Sequence, residues 1–324
     1  MKENINEKEI IEILCKVLGQ PRPPYSKIGD DVAYFPLGKK LLVVKSDMLV
    51  GKTDVPPQMK LWQAARKSVV MCASDFASKG VVPSAILISL GLPRKITRKE
   101  VKELAIGFKK AKEEFSIEIL GGDTNETDDL IIDCTMLGFS KKVVTRGGAS
   151  EGDFVVVSGV FGYPSSGLRI LLEGYKTDSV FKRKAVSSVL YPKARLKLGL
   201  ALSKKKLFSS SIDSSDGLAL SLYEIACQSC VGIKVTNLPK DIYVEKFAND
   251  NNIPLEDLVL YGGEEYEIVG TIPRDRFKEA RDTALGVNSR LIHIGHVLEA
   301  GSGVNLSTHK GVSSIQRRGW IHFT

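Results

Sequence analysis

Seven aspartates, each in a short glycine- or serine-rich stretch beside an apolar run, constrain this chain more than any other feature. They lie in Ile28-Gly29-Asp30-Asp31, Ser46-Asp47, Ala73-Ser74-Asp75, Gly121-Gly122-Asp123-Thr124 and Ile212-Asp213-Ser214-Ser215-Asp216-Gly217. Aspartate is depleted from strands and poorly tolerated inside helices. Its repeated placement next to apolar segments therefore predicts carboxylates projected into one shared site. Clustered carboxylates repel, and a hard divalent cation relieves that repulsion. Oxygen ligands without His or Cys point to Mg²⁺ or Mn²⁺ rather than zinc. Magnesium that bridges carboxylates and phosphates is what phosphoryl-transfer sites use.

Composition sets this site in a soluble globular protein. A length of 324 residues predicts two domains, and 43% hydrophobic with 26% charged residues gives an ordinary core. Lys and Arg exceed Asp and Glu by 46 to 38, with much of the excess in runs such as Lys182-Arg183-Lys184 and Lys204-Lys205-Lys206. These runs read as solvated faces, and the mild positive field favours anionic substrates such as nucleotides. A basic nucleic-acid-binding protein, the alternative from another class, would interleave basic and aromatic side chains. Aromatic content is only 7% and the distinctive motifs are acidic, so no nucleic-acid partner is expected. Five cysteines, an odd number, fit a reducing cytoplasm, and Cys227-Gln228-Ser229-Cys230 lacks the second pair of a zinc site. No apolar run reaches the ~18–20 residues of a membrane span, and Met1–Glu9 is too polar for a signal peptide. The expectation is a cytoplasmic protein without a membrane partner.

Along the chain, Asn6-Glu7-Lys8-Glu9 is a capping box, and Gly19 stops the helix it opens. Residues 41–44 predict a buried strand with Asp47 at its end. A long helix over 58–79, stopped by Gly80, puts Asp75 in its last turns beside Met71, Cys72 and Phe76, where a charge must be paired or metal-bound. A strand over 85–90, a helix from the capping box at Thr97 to about Glu114, and strands over 117–120 and 130–139 follow. Thr145-Arg146-Gly147-Gly148-Ala149 reads as a hinge. Beyond it come a strand over 154–157, a Gly/Ser-rich turn over 158–167, and helices over 193–203, 216–230 and 273–285. Strands are expected over 232–236, 266–271 and 290–295. The alternation gives two α/β-type or α+β units.

Taken in order, the motifs resemble the thiamine-monophosphate kinase family, within the superfamily of aminoimidazole ribonucleotide synthetase and selenophosphate synthetase. The aspartate motifs carry the resemblance, with Thr145-Arg146, Gly262-Gly263-Glu264-Glu265-Tyr266-Glu267 and the tail Gly319-Trp320-Ile321-His322-Phe323. They span nearly the whole chain. The resemblance implies a two-domain α+β fold: an N-terminal ATP/Mg-binding and dimerisation domain over 1–148, pairing into a barrel in a homodimer, and a C-terminal α+β domain over 149–324. It implies ATP-dependent phosphorylation of thiamine phosphate to thiamine diphosphate with several Mg²⁺ ions. By position it implies metal contacts from Asp31, Asp47, Asp75, Asp123, Asp213 and Asp216, with Ser46 as a hydroxyl or carbonyl neighbour. Gly122, Asp123, Arg146 and Ser215 would contact ATP, and Asp54, Glu264 and Trp320 the acceptor. No general base is expected, because the acceptor phosphate is ionised at neutral pH. Two positions depart from the pattern. Lys45 stands where relatives often have a small hydroxyl residue, and Asp54 where some have His.

Other readings have less support. There is no G-x-x-x-x-G-K-[ST] loop, which excludes a P-loop kinase. His293-Ile294-Gly295-His296 spells a class I aminoacyl-tRNA synthetase motif, but at a strand near the C-terminus rather than early in a Rossmann domain. Selenophosphate synthetase would want a reactive Cys in an N-terminal glycine-rich loop, whereas Cys15 is in a predicted helix. Aminoimidazole ribonucleotide synthetase would want a Gly-Val-Gly-Thr-Lys-like stretch where this chain has Leu49-Val50-Gly51-Lys52-Thr53.

Overall fold

The computed structural model describes residues 5–309 and 311–320, apart from the side chain of Lys8. The last three residues of the tail motif, 321–323, lie outside the described residues, His322 among them. The first half runs α1 (Glu7–Leu18), β1 (Ala33–Leu37), β2 (Lys40–Val50), α2 (Gly51–Asp54), α3 (Leu61–Lys79), β3 (Val82–Pro93), α4 (Arg98–Phe115), β4 (Glu118–Gly121), β5 (Thr124–Thr127) and β6 (Ile131–Ser140). Its strands form one sheet in the order β1-β2-β6-β3-β4, with β5 beside β3. Both expected capping boxes are formed: Asn6 with Glu9 opens α1, and Thr97 with Glu100 opens α4.

Strand β2 extends past the apolar stretch expected over 41–44. It pairs with β6 as far as Val50, so Asp47 lies within the strand rather than at its end. The period-2 alternation then places Val43, Lys45, Asp47 and Leu49 on the face toward α3 and Ser46 and Met48 on the other. Helix α3 starts at Leu61, three residues later than expected, after Pro56, Pro57 and a left-handed Gln58 (φ 74°). It ends at the expected stop, Gly80, which is left-handed. Helix α4 packs on α3 through Gly107, where a Cβ would lie 2.1 Å from the Trp62 carbonyl oxygen.

The second half runs β7 (Phe154–Val157), α5 (Tyr163–Leu172), α6 (Ser179–Leu190), α7 (Leu196–Lys204), β8 (Ser210–Ser214), α8 (Leu218–Ser229), β9 (Gly232–Val235), α9 (Ile242–Asp250), α10 (Leu255–Val259), β10 (Glu267–Ile272), α11 (Phe277–Gly286), β11 (Ile292–Leu298), β12 (Val304–Thr308) and β13 (Gly311–Ser314). Its sheet has the order β13-β12-β9-β11-β7-β10-β8, antiparallel except for the β12–β9 pair. The turn expected over 158–167 is a turn only in its first part. Helix α5 begins at Tyr163, with Pro164 in the first turn, where its missing N–H costs nothing.

Each sheet has its own apolar cluster, the first around Val43, Val70, Phe76 and Ile132, the second around Val157, Leu222, Phe247 and Val269. A third joins Ala77 of α3 to Val156, Leu202, Phe208 and Ile272. Helix α3 therefore packs against β2 and β6 on one side and β8 and α7 on the other. The aspartates of both halves meet along it.

Candidate active site

Asp31 precedes β1, Asp75 lies on α3 and Asp213 on β8, yet each offers a carboxylate oxygen within 4.8 Å of the other two, and all three residues are buried. Asp31 is the neutralised member. Lys79 Nζ lies 2.8 Å from its Oδ2 and 2.7 Å from Asp30 Oδ1. Arg146 Nε donates to Asp31 Oδ1 at 2.7 Å, and the Ser78 hydroxyl donates to Oδ2 at 3.1 Å. Burial by itself would raise this carboxyl, but the Lys79 ammonium and the Arg146 guanidinium outweigh it and hold the pKa at about 2. Asp213 goes the other way. Burial, followed by the Asp31 charge, raises it to about 6. Asp75 is also raised well above the usual range, by burial and then by its acidic neighbours, against the pull of Lys45.

Lys45 reaches this group from β2. Its Nζ is 3.0 Å from Asp75 Oδ2 and 3.8 Å from Asp47 Oδ2. Burial would lower its pKa, but Asp75, Asp47 and Asp213 hold it well up as an ammonium. The Asp47 carboxyl is raised by burial and by the Asp54 and Asp133 charges, with Lys45 opposing.

A second group lies at the other end of α3. Lys67 Nζ donates to the Asp54 carbonyl at 2.9 Å and pairs with Glu264 Oε2 at 2.5 Å, with its side chain 1% exposed. Asp54 Oδ2 accepts from Val50 N–H at 2.7 Å, which fixes the short helix α2 to the end of β2. Glu264 is left-handed (φ 68°), and its N–H donates to the Ser215 carbonyl at 2.6 Å. Burial, then the charges of Glu264, Asp47, Asp54 and Asp213, push the Tyr266 phenol well up, so the two acidic groups share one electrostatic neighbourhood.

The remaining expected residues divide. Gly122 and Asp123 sit exposed between β4 and β5, and a Cβ on Gly122 would lie 1.6 Å from the Ile88 carbonyl oxygen, so only glycine permits this close turn. Ser215 and Asp216 are exposed in the loop between β8 and α8. The N-cap position of α8 is Gly217, one residue after Asp216. Trp320, 53% exposed, donates its backbone N–H to the Asp216 carbonyl at 3.0 Å and lies beside Gly263. The tail is thus brought to the Asp216 and Glu264 loops. Asp123 and Asp216 are outside the buried trio. The Ser46 hydroxyl departs from the expected metal neighbourhood. It is on the opposite face of β2, 3.2 Å from Asp133 Oδ1 and 3.0 Å from Thr135 Oγ1, because strand alternation separates it from Lys45 and Asp47. The Arg146 guanidinium is engaged by Asp31, the Gly29 carbonyl (3.2 Å) and Glu224 (3.5 Å).

Sequence reasoning missed Lys67 and Lys79. The available signal was helical: Lys67 is eight residues before Asp75 and Lys79 four after it, so basic side chains at turn spacing flank a buried acid in an apolar helix.

The all-oxygen, buried donor set of Asp31, Asp75 and Asp213 suits a hard cation such as Mg²⁺. The raised pKa values of Asp75 and Asp213 fit it too: burial first, and then neighbouring carboxylates, disfavour their charge more than Lys45 favours it, and a bound cation would offset both.

Comparison with known proteins places the chain among named relatives. Residues 29–140 match the family described as "AIR synthase related protein, N-terminal domain". The chain is 41% identical to the thiamine-monophosphate kinase of Nitrosopumilus maritimus (strain SCM1), over 98% of this chain and 99% of that one. It is 35% identical to the thiamine-monophosphate kinase of Pyrococcus abyssi (strain GE5 / Orsay), over 99% and 97%. Among solved structures, "AaThiL complexed with AMPPCP and TMP" is similar at a TM-score of 0.86 and 27% identity, covering 99% of this chain and 98% of that one.

Proposed function

The chain belongs to the thiamine-monophosphate kinase family, and from that premise we propose how its buried carboxylates serve the reaction. That reaction is the ATP-dependent phosphorylation of thiamine phosphate to thiamine diphosphate. The observation that carries the site assignment is the convergence of Asp31, Asp75 and Asp213 from three separate elements.

These three would hold Mg²⁺, with Asp47, Asp123 and Asp216 as further carboxylates from the flanking segments. When bound, Mg²⁺ offsets the repulsion between two polyanionic substrates and the charge on the phosphoryl group in transfer. The chain's own residues supply position and charge. Lys79 and Arg146 keep Asp31 ionised. The bare backbone of Gly122 and the exposed Ser215 hydroxyl are read as contacts to the nucleotide, and the Arg146 network as the cation facing its phosphates. Lys67 joins the Asp54 carbonyl to the Glu264 carboxylate, and with its ammonium offsetting one of the two acids the group keeps a net negative charge suited to the cationic thiazolium of the acceptor. The Trp320 indole, beside Gly263, offers a face for one of its rings. No residue has to take a proton, because the attacking phosphate oxygen is already ionised. Consistent with that, His293 and His296 pack against Phe154 and each other in the second sheet.

The protein is further read as a homodimer. The face of the first sheet opposite α3 exposes Met48, Val82, Leu87 and Phe139, and a second copy of that face would cover them.

The test is an acceptor panel assayed for ADP release and for product by chromatography. Thiamine phosphate with ATP and Mg²⁺ is expected to give thiamine diphosphate. Free thiamine is expected to react far more slowly, since its neutral hydroxyl needs a base the site lacks. Folded protein that makes no thiamine diphosphate, or that prefers another acceptor, contradicts the proposal.

A further inference from the structure

Four carboxylates, Asp31, Asp47, Asp75 and Asp213, meet three basic groups at this site, Lys45, Lys79 and Arg146. The cations are not shared evenly. Lys79 and Arg146 both serve Asp31 and Asp30. Among the described residues, Lys45 is the one cation in ion-pair contact with Asp75 and with Asp47. It is also fixed in place. Its strand pairs with β6 through Lys45 itself, opposite Met136, and with β1 as far as the preceding Val44, and its ammonium lies beside the same Asp75 that contributes to the trio.

We propose that the Lys45 ammonium is a built-in cation, occupying between Asp75 and Asp47 the place where a divalent ion would otherwise bind. An ammonium has three donors to give to carboxylate or phosphate oxygens but no coordination sphere in which to gather both kinds of ligand as a divalent ion does, and its charge repels a divalent ion brought to the same pair. The chain therefore binds one divalent ion fewer than its carboxylates would otherwise allow. The inference rests on the reading of these aspartates as the Mg²⁺ site of a kinase, and it adds which pair has given up an ion for a side chain.

The experiment counts Mn²⁺ bound per chain by equilibrium dialysis, without nucleotide, in the wild type and in Lys45→Ser, Lys45→Gln and Lys45→Arg. Lys45→Ser frees the pair, and Lys45→Gln does so with a neutral side chain of similar length should the serine variant fail to fold. Either is expected to bind one additional Mn²⁺, about tenfold or more tighter than any corresponding weak site in the wild type. Thermal melting gives a second readout. In chelator the neutral variants should melt below the wild type, and Mn²⁺ should raise their midpoint by more than it raises the wild type's. Lys45→Arg keeps the charge and should bind as many ions as the wild type. Unchanged ion counts in both neutral variants, or an additional ion in Lys45→Arg, would overturn the proposal. Neither readout depends on turnover. Failure of the wild type to make thiamine diphosphate would defeat the functional reading and leave the ion count to be judged separately.

Discussion

Asp31 and Asp213 share one cluster yet titrate in opposite directions. The Asp31 carboxyl, at about 2 in the fold against an ordinary 3.8, is stabilised in its ionised form. Its contribution to stability is therefore present above pH ~4 and is lost as pH falls toward about 2, and the shift amounts to about 2 kcal/mol. The Asp213 carboxyl, raised to about 6, binds its proton more tightly in the fold than in the unfolded chain. Its contribution is present below its unfolded value and is lost as pH rises toward about 6. Urea unfolding in chelator across pH 3 to 7 checks both signs. Asp31→Asn should be less stable than the wild type by about 2 kcal/mol at pH 7, with the gap roughly halved by pH 3. Asp213→Asn should gain on the wild type as pH rises from about 4 to about 6. Parallel curves for all three proteins would show that neither carboxyl is coupled to its neighbours as described.

At the scale of elements, the first sheet is two-sided. Cross-strand partners line up on the face away from α3 as Leu42–Phe139–Val82, Val44–Leu137–Ala85, Ser46–Thr135–Leu87 and Met48–Asp133–Ser89. A single solvated face is ordinary for an antiparallel sheet, but such faces are usually polar. Leu87→Asp, placed in the middle of this face, is expected to convert a dimer to a monomer in light scattering, with an unchanged far-UV spectrum. A wild type that is monomeric at micromolar concentration would refute the homodimer, and a dimeric Leu87→Asp would put the interface elsewhere. The capping boxes of α1 and α4, the Gly80 stop and strand β7 were legible in the sequence because each depends on local chemistry. The full length of β2 was hidden, since Lys45, Ser46 and Asp47 interrupt the apolar run that pairing with β6 continues. Strand β8, Ser210–Ser214, had no apolar alternation to reveal it. It is held by β10 and by α3, where the Ser211 hydroxyl donates to the Ser78 carbonyl and its carbonyl accepts from Lys79 Nζ, both at 2.5 Å. The carboxylates of the site were legible as residue types, whereas their cations Lys67 and Lys79 were hidden inside an apolar helix.

At the scale of the whole molecule, α3 explains why aspartates scattered from residue 31 to residue 213 converge. Gly199 lets α7 approach so closely that a Cβ there would lie 1.8 Å from the Ala77 carbonyl oxygen. The cluster around Ala77, Val156 and Ile272 then fixes the second sheet against the helix that carries Asp75. The proposed site draws on both sheets, and the proposed chemistry needs no group that becomes phosphorylated. Rapid-quench single turnover with ATP labelled in the γ-phosphoryl group, excess enzyme and thiamine phosphate measures this most directly, in the wild type and in Asp75→Asn. The label should pass in one step to the terminal position of thiamine diphosphate, with none on the protein, and ~10²-fold or more slowly in a folded Asp75→Asn. Label retained on the protein, label released as free phosphate, or an Asp75→Asn rate equal to the wild type would contradict the account.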